Sequence, residues 1–358
     1  MPNTPLSQQR VIGGLFGLEP PLTGKSTPPP FAGTFVNYFL NVRCALLAVC
    51  ETANPGAAWL PSYLCGAVLD PFRKLGVPLR YYDPHPASEP VELAWTKDVE
   101  RGDLVLTIHY FGFPNRTLPV AQLAQQGAIV VEDASQGLFV KQQYPETHCI
   151  LYSPRKFLGV PDSGVMVSSS NNDIRSELLE PPPGDWWKNA LAMVQMRREF
   201  DLIGGENLWF PLFLDVEKTF PLGPYRSSDL AKLTLESGTD YQFIQRTRRE
   251  NYAVLLERLK QFALFPELGA ETVPLGFPVR VNPARRNAIL GDLYKQRIYP
   301  PVHWHIEGIV PEEHRQSHLL SKSILTLICD QRYSASDMKR QADSFLLAAT
   351  ESETLAKR

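Results

Sequence analysis

The sequence predicts an α/β fold in three layers, with helices covering both faces of a mostly parallel sheet. Short runs of valine, isoleucine and leucine recur along the first half of the chain, and helical patterns alternate with them. Uninterrupted apolar runs are typical of parallel strands that are buried on both faces. At 358 residues the chain is also longer than a single hydrophobic core usually supports. We therefore expect a large sheet domain followed by a smaller α+β domain.

The first predicted elements form a strand-helix-strand unit. A helix is expected at 41–52, because Ala45, Leu46, Val49 and Cys50 share one face and an Asn-Pro-Gly stop follows at 54–56. Gly76 is expected to end the next helix. In chain order the predicted elements are strand 57–60, helix 67–75, strand 77–82, strand 104–109, helix 120–126 and strands 128–132, 149–152 and 165–168.

The rest of the chain divides into an aromatic region and a C-terminal domain. Residues 181–220 begin with three prolines and are rich in tryptophan and phenylalanine. Packing within a subunit and a role at an interface or as a substrate lid are both open for this region. A charged helix at 241–262 leads to predicted strands 272–281 and 324–328 and predicted helices 284–296 and 336–348. The expected limits are an N-terminal arm at 1–40, a large domain at 41–240 and a small domain at 241–358.

Composition excludes several classes of partner. The formal charge of -2 offers no general attraction to nucleic acid or to an anionic membrane, so a small-molecule partner is favoured. No apolar run is long enough for a membrane span, and the polar N-terminus has no signal core. The five cysteines are widely spaced and form no Cys-x-x-Cys pair, which indicates reduced residues of a cytoplasmic protein and no metal site.

Two short segments carry the chemistry. Glu132-Asp133-Ala134-Ser135-Gln136 and Ser153-Pro154-Arg155-Lys156 each follow an apolar run that reads as a strand. Ligands of parallel sheets bind at the carboxyl ends of the strands. A carboxylate for a pyridine nitrogen, a hydroxyl for a phosphate and an amine for an aldehyde are the groups that hold pyridoxal phosphate. The sequence therefore predicts an enzyme that uses this cofactor.

Lys156 is the predicted lysine partner of the aldehyde, with Lys141 as the main competitor. A lysine at the end of a buried strand is costly unless its charge is neutralised or used. A carboxylate of Asp133 about 3 Å from the ring nitrogen would contribute roughly 5 kcal/mol at an effective dielectric near 20, enough to keep the ring protonated. Gln136 is placed to donate to the phenolic oxygen of the cofactor.

The phosphate of the cofactor is expected at the N-terminus of the first core helix. Backbone N–H groups there favour anions, and Val42 and Arg43 open this helix. Arg43 could add a counter-charge or be an ordinary solvated arginine. Tyr63 could stack on the cofactor ring, although a buried tyrosine is more often plain packing.

Together these segments resemble the DegT/StrS-type sugar-nucleotide aminotransferases, which are fold-type I pyridoxal-phosphate enzymes. His109 with Gly112 is similar to the family's His-x-x-Gly element, residues 132–136 to its Glu-Asp-Ala-x-Gln element, and residues 152–164 to its lysine loop. The resemblance implies transamination from an amino acid, with glutamate as the expected donor, to a keto group of a nucleotide-linked sugar. It also implies a homodimer.

The resemblance gives roles to individual residues. Lys156 would hold the cofactor through an imine and move the proton, and Asp133 would pair with the ring nitrogen. Gln136 would meet the ring oxygen, Ser153 would contact the phosphate and His109 would lie near the cofactor face. Arg226, in a segment similar to the family's Gly-x-Asn-x-Arg element, would reach the neighbouring active site of the dimer.

The chain also departs from the family pattern. Asn41-Val42-Arg43 replaces the usual Ser-Gly-Thr phosphate turn, and the spacing from Ser153 to Lys156 is shorter than in most members. Ser163 stands where a second glycine is typical, and Pro224 stands in the segment where the asparagine is missing. These changes make the chain a divergent relative.

Three other functions are alternatives to transamination. A serine acyl-enzyme also uses Ser-x-x-Lys, but it needs Ser-Asp-Asn and Lys-Thr-Gly partners that this chain lacks. A non-catalytic or regulatory relative is a second alternative, which the joint presence of the four cofactor residues disfavours. A pyridoxal-phosphate-dependent sugar dehydratase is the third, and Lys156 favours transamination because the family's dehydrating members replace this lysine.

Overall fold

A computed structural model of the chain describes residues 10–19, 26–31, 33, 35–84, 93–168, 174 and 176–355, without the side chains of the last five. Two compact units divide the chain. One is Leu15–Gln242, and the other joins Phe243–Arg358 to the N-terminal segment that ends at Gly14. Parts of the N-terminal segment expected at 1–40 lie outside the described residues.

The described strands and helices follow the alternation that the sequence predicts in the first half of the chain. The strands are β1 Ile12–Gly13, β2 Phe35–Phe39, β3 Ala58–Pro61, β4 Leu79–Tyr82, β5 Leu104–Ile108, β6 Ile129–Ala134, β7 Cys149–Tyr152, β8 Gly164–Ser168, β9 Phe277–Arg280, β10 Ile298–Tyr299 and β11 Ile324–Leu327. The α-helices are α1 Val42–Ala53, α2 Asp70–Leu75, α3 Val120–Gln126, α4 Gly184–Ile203, α5 Trp209–Lys218, α6 Asp229–Ser237, α7 Tyr241–Leu259, α8 Arg286–Lys295, α9 Arg315–Ser323 and α10 Ala335–Leu355. Of the helices described, none combines the length and apolarity needed to cross a bilayer.

The larger unit is built on a seven-stranded sheet in the order β2-β8-β7-β6-β5-β3-β4. The strands from β4 to β7 in this order pair in parallel, whereas β8 is antiparallel to both of its neighbours. Every residue of β3, β5, β7 and β8 is buried, as expected for strands that are covered on both faces. The predicted α/β class with a mostly parallel sheet is confirmed.

Helix α1 begins where its cap predicts. The side chain of Asn41 accepts a hydrogen bond from the backbone N–H of Cys44, and Asn54 ends the helix in the left-handed conformation, with φ 45°. An asparagine N-cap satisfies one of the N–H groups that a helix start leaves unpaired. The helix packs against β7 and β8, so its first turn is held beside the central strands.

Several elements differ from the sequence-based expectations. Strand β2 was not predicted, because it is a short edge strand whose residues are mostly half-buried and show no apolar run. Strand β6 continues to Ala134, beyond the expected end at 132, since Asp133 still pairs with β5 and β7. The predicted strand 272–281 is shorter in the structure, where it spans Phe277–Arg280.

The aromatic region folds as a helical pair. Helices α4 and α5 pack against each other, with the side chains of Trp186 and Trp209 buried. The ring of Trp186 contacts Phe220 at a centroid distance of 4.5 Å, whereas Phe210 remains 47% exposed. Part of this region therefore serves packing within the chain, one of the two roles that the sequence left open.

The smaller unit contains two strand pairs and a network around the loop after β11. Strands β9 and β11 pair antiparallel, and β1 pairs in parallel with β10. The carboxylate of Asp330 forms an ion pair with Arg332, and the amide of Asn251 in α7 donates to the carbonyls of Cys329, Asp330 and Tyr333. These bonds fix the loop to the helix.

Replacing Asp330 by asparagine should destabilise the protein and flatten its response to acid. Burial alone would raise the pKa of Asp330, but the charges of Arg332 and then Arg248 lower it below its ordinary value. A lowered pKa in the folded state adds stability above the unfolded pKa, and this stability disappears as the pH falls through the folded pKa. We expect Asp330→Asn to cost about 3 kcal/mol at neutral pH and to lose less stability than the native chain below about pH 4.

Denaturant unfolding at pH 7 and at pH 3 measures this effect. Asp343→Asn is the matched control, because Asp343 pairs with Arg258 at the surface with 62% of its side chain exposed and should change stability by less than about 1 kcal/mol. Equal losses for the two variants at pH 7 would contradict a special role for the Asp330 pair.

Candidate active site

The carboxyl ends of β5, β6 and β7 bring the predicted site residues together. Ile108 at the end of β5 pairs with Asp133, and Ala134 at the end of β6 pairs with Tyr152 at the end of β7. The chain then enters residues 153–163, the part of the lysine loop that lies between β7 and β8, which contains Lys156. Asp133 and the lysine loop therefore leave the same edge of the sheet.

Asp133 is a buried carboxylate with spare hydrogen-bonding capacity. Asp133 is 4% exposed, and its Oδ1 accepts a hydrogen bond of 2.8 Å from the backbone N–H of Ser135. Oδ2 accepts no hydrogen bond from any residue that the structure describes. A buried carboxylate is costly unless it is paired, so this oxygen is available to a cationic or protonated ligand.

Gln136 is a second buried group with a free end. Its Oε1 accepts from the backbone N–H of Phe111 at 2.9 Å, which fixes the orientation of the amide. Its Nε2 is buried and donates to none of the described residues. Leaving a buried donor unsatisfied costs about 1–3 kcal/mol, and an acceptor on a ligand would remove this cost.

Lys156 lies at the end of a short 3-10 turn, Pro154–Lys156. The turn is held by the backbone N–H of Lys156, which donates to the carbonyl of Ser153, and by the N–H of Phe157, which donates to the carbonyl of Pro154. The side chains of Lys156 and Ser153 are half-buried and form no hydrogen bond or ion pair within the described part of the chain. The amine is thus carried by a fixed backbone and has no partner among the residues that the structure describes.

The first turn of α1 lies against the start of β8. A Cβ added to Gly164 would lie 2.3 Å from the carbonyl carbon of Asn41 and 2.5 Å from the nitrogen of Val42. The side chain of Asn41 accepts a hydrogen bond from the N–H of Cys44. The N–H groups of Val42 and Arg43 are therefore the ones that this helix start leaves for an anion. The absence of a side chain at Gly164 permits this close approach.

The guanidinium of Arg43 is already engaged. It forms an ion pair of 2.8 Å with Asp70 and lies 5.1 Å from the ring centroid of Phe220. Neither contact involves the backbone of Arg43. These contacts leave the backbone N–H of Arg43 to a ligand, while its side chain binds Asp70 and lies over Phe220.

The far end of the lysine loop is anchored by Asp162. Its carboxylate accepts from Trp187 Nε1, from the hydroxyl of Ser227 and from the backbone N–H of Ser228, and burial raises the pKa of Asp162 despite these bonds. The next residue, Ser163, has φ 122° and a buried hydroxyl with no partner among the described residues. The loop thus ends in a strained position where glycine would be the easier choice.

His109 and Glu132 form a buried pair that the sequence did not predict. The backbone N–H of Asn115 donates to His109 Nδ1, so Nε2 carries the proton and donates to Glu132 at 2.9 Å. Glu132 also accepts from the hydroxyl of Thr147 and from the backbone N–H of Gln143. Both ring nitrogens of His109 are therefore bonded to protein, which leaves only the ring faces for other contacts.

The remaining predicted residues have these positions. Tyr63 is fully buried, its carbonyl accepts from the hydroxyl of Tyr110, and the two rings lie 5.6 Å apart. Arg226 forms an ion pair of 2.7 Å with Asp229, whose side chain is 88% exposed. Such an exposed pair is weak, so Arg226 can change partners at little cost.

A charged cluster beside Lys156 was missed at the sequence level. Arg155 forms an ion pair with Glu217 at the end of α5 and lies 4.6 Å from the ring centroid of Phe220. Glu217 and Phe220 are more than sixty positions away in the sequence. No local pattern could have connected them with Arg155.

Comparisons with known proteins identify the fold. No protein-family model matches the chain, and no curated protein sequence does either. Among solved structures, the Helicobacter pylori aminotransferase PseC, involved in the biosynthesis of pseudoaminic acid, has a TM-score of 0.64 at 13% identity, covering 90% of this chain and 88% of PseC. The sugar aminotransferase CalS13 from Micromonospora echinospora has a TM-score of 0.56 at 13% identity, covering 86% of each chain.

A third solved structure contains a cofactor. NtdA from Bacillus subtilis, with bound PMP, has a TM-score of 0.62 at 13% identity, covering 88% of this chain and 73% of NtdA. The chain shares the fold of these proteins. The shared fold is the fold-type I architecture that the sequence resemblance implied, and the low identities agree with a divergent chain.

Replacing Gly164 by alanine should disturb the fold at the first turn of α1. The new Cβ would meet backbone atoms of Asn41 and Val42, which cannot rotate away. We expect a loss of about 3 kcal/mol in the free energy of unfolding, measured by denaturant titration. Gly184→Ala is the control, because no neighbouring group lies within 4 Å of the added Cβ; a Gly164→Ala protein as stable as this control would contradict the close contact.

Proposed function

We propose that this chain is a pyridoxal-phosphate-dependent aminotransferase of the DegT/StrS type. It would move an amino group from an amino acid, with glutamate as the expected donor, to a keto group of a nucleotide-linked sugar. One observation carries the proposal. Asp133 Oδ2, Gln136 Nε2 and the amine of Lys156 are polar groups without a partner among the described residues, and their residues leave the carboxyl edge of one sheet.

The free groups fit the cofactor one by one. The carboxylate of Asp133 suits the ring nitrogen, the amide nitrogen of Gln136 suits the ring oxygen, and the amine of Lys156 suits the aldehyde. The phosphate suits the N–H groups of Val42 and Arg43 at the start of α1. It also suits the hydroxyl of Ser153, which has no partner among the described residues. The glycine at position 164 leaves the space that this helix start requires.

When bound, the cofactor supplies an electron sink for the negative charge that develops on the α carbon of the substrate. Asp133 supports this sink, because its charge keeps a proton on the ring nitrogen and burial strengthens the interaction. Gln136 cannot swing away, since its other end is bonded to the backbone of Phe111.

Lys156 is the group that moves the proton. With the donor bound beside it, the amine of Lys156 would take the proton from the donor's α carbon and later return it to the bound cofactor. Its backbone is fixed by the 3-10 turn, whereas its amine makes no hydrogen bond or ion pair with the described residues that would have to break first. The same groups, used in reverse order, deliver the amine to the keto acceptor.

Tyr63, His109 and Arg226 complete the proposed site. Both ring nitrogens of His109 are bonded and neither His109 nor Tyr63 has exposed surface, so a contact of either ring face with the cofactor would require neighbouring side chains to move apart. We propose a cytoplasmic homodimer in which the segment of Arg226 reaches the neighbouring site and exchanges Asp229 for an anionic group. The sugar acceptor rests on analogy with PseC and CalS13.

Replacing Lys156 by alanine should abolish transamination. The visible absorption band of the native protein loaded with pyridoxal phosphate should convert on adding glutamate, whereas Lys156→Ala should give no turnover. Lys141→Ala is the matched control, because Lys141 is exposed and lies outside the lysine loop. Failure of the native chain to take up the cofactor would instead support a non-catalytic relative, and release of a dehydrated sugar would support the dehydratase.

Replacing Asp133 by asparagine should separate cofactor binding from rate. The amide keeps the shape of the side chain but removes the charge that holds the ring proton. We expect Asp133→Asn to retain bound cofactor and to convert glutamate at least about a hundredfold more slowly, measured in a stopped-flow half-reaction. An unchanged rate would show that another group maintains the ring proton.

A further inference from the structure

Arg155 is a cation directly beside the proposed reacting lysine. Its guanidinium forms an ion pair with the carboxylate of Glu217, which is carried by α5. The side chain of Arg155 is 19% exposed and that of Glu217 is 41% exposed, so the pair lies near the surface of the unit and can open. Among the described residues Arg155 has no other ion pair. The guanidinium of the residue that precedes Lys156 in the chain therefore already holds a carboxylate.

A second arginine approaches the same place. The guanidinium carbons of Arg43 and Arg155 lie 5.1 Å and 4.6 Å from the ring centroid of Phe220. Arg43 has its own carboxylate in Asp70, so its charge is balanced whether or not Glu217 is near. If Glu217 moved away, Arg155 would be the cation left without a counter-charge.

The carboxylate of Glu217 responds to the charges around the lysine. Burial alone would raise the pKa of Glu217, but the charges of Arg155, Arg43 and Lys156 together lower it below its ordinary value. The group is thus ionised at neutral pH. Arg155 makes the largest of these lowering contributions, in agreement with the ion pair that joins the two side chains.

We propose that Arg155 binds the α-carboxylate of the amino donor and that Glu217 takes its place when no donor is bound. The inference rests on the proposed function, since it assigns the carboxylate receptor of that same site. In an α-amino acid the amine and the carboxylate share one carbon, so the receptor must lie beside the lysine. Arg155 is the neighbour of Lys156 in the chain, and a guanidinium binds a carboxylate through paired hydrogen bonds.

The exchange suits an enzyme that must accept two kinds of substrate at one lysine. The donor brings a carboxylate, which pairs with Arg155 while Glu217 turns to solvent. The keto group of a sugar brings none at the reacting carbon, and Arg155, with only 19% of its side chain exposed, would then be largely buried without a counter-charge. Glu217 then neutralises Arg155. The acceptor is admitted without a carboxylate of its own.

The first test is calorimetric binding of glutarate, a dicarboxylate that cannot react, to the cofactor-loaded protein. Arg155→Gln should weaken glutarate binding about tenfold or more, because a charge-assisted hydrogen bond is lost. Glu217→Gln should strengthen it several-fold by removing the internal competitor, a gain that misfolding cannot produce. Asp215→Asn, an exposed carboxylate on the same helix, should leave it unchanged.

The second test compares L-glutamate with 4-aminobutyrate, which lacks the α-carboxylate, in the half-reaction followed by the visible band. Arg155→Gln should raise the glutamate concentration needed for half-maximal rate about tenfold and leave that for 4-aminobutyrate unchanged. The proposal would be overturned if Arg155→Gln changed the half-maximal concentrations of both amines equally. It would also be overturned if neither Arg155→Gln nor Glu217→Gln changed the affinity for glutarate. If the chain proved not to transaminate, the glutarate measurement would still decide whether Arg155 binds carboxylates.

Discussion

Parallel pairing of β5 with β6 and of β6 with β7 determines where the groups of the candidate site lie. Parallel strands end at one edge of a sheet, so residues that follow different strands become neighbours. Ile108, Asp133 and Leu151 are consecutive partners across these strands. A slip of one residue in β6 would turn Asp133 to the opposite face and bring Glu132 into its place. The buried bond between Glu132 and His109 opposes such a slip.

Unsatisfied polar groups connect the fold with the proposed ligand. Gln136 Nε2 and the hydroxyl of Ser163 are buried without partners among the described residues, and each such group costs about 1–3 kcal/mol. A site that carries these costs in the free protein recovers them when a ligand satisfies the groups. Binding and stability are then coupled, because a ligand that binds only the folded chain raises the free energy of unfolding.

The sequence predicted the part of the site that depends on local order. The positions of Asp133 and Lys156 after buried strands could be predicted because strands and their ends are local patterns. The contact of Glu217 with Arg155 could not, since it depends on how α4 and α5 fold back. Strand β2 was missed for a related reason: an edge strand gains its stability from its neighbour β8, not from an apolar run of its own.

The start of α1 can tolerate unusual residues because its proposed contacts use the backbone and not the side chains. Backbone N–H groups are supplied by any residue except proline, so Val42 and Arg43 can serve an anion as well as the residues of the more usual turn. The constraint falls instead on Gly164, where any side chain would meet the backbone of α1. The side chain of Arg43 is then free of this constraint, and its guanidinium lies over Phe220, as does that of Arg155. In the proposed site the phosphate would rest on backbone N–H groups and the ring on the side chains of Asp133, Gln136 and Lys156, so the residues of this helix start can vary without loss of the cofactor.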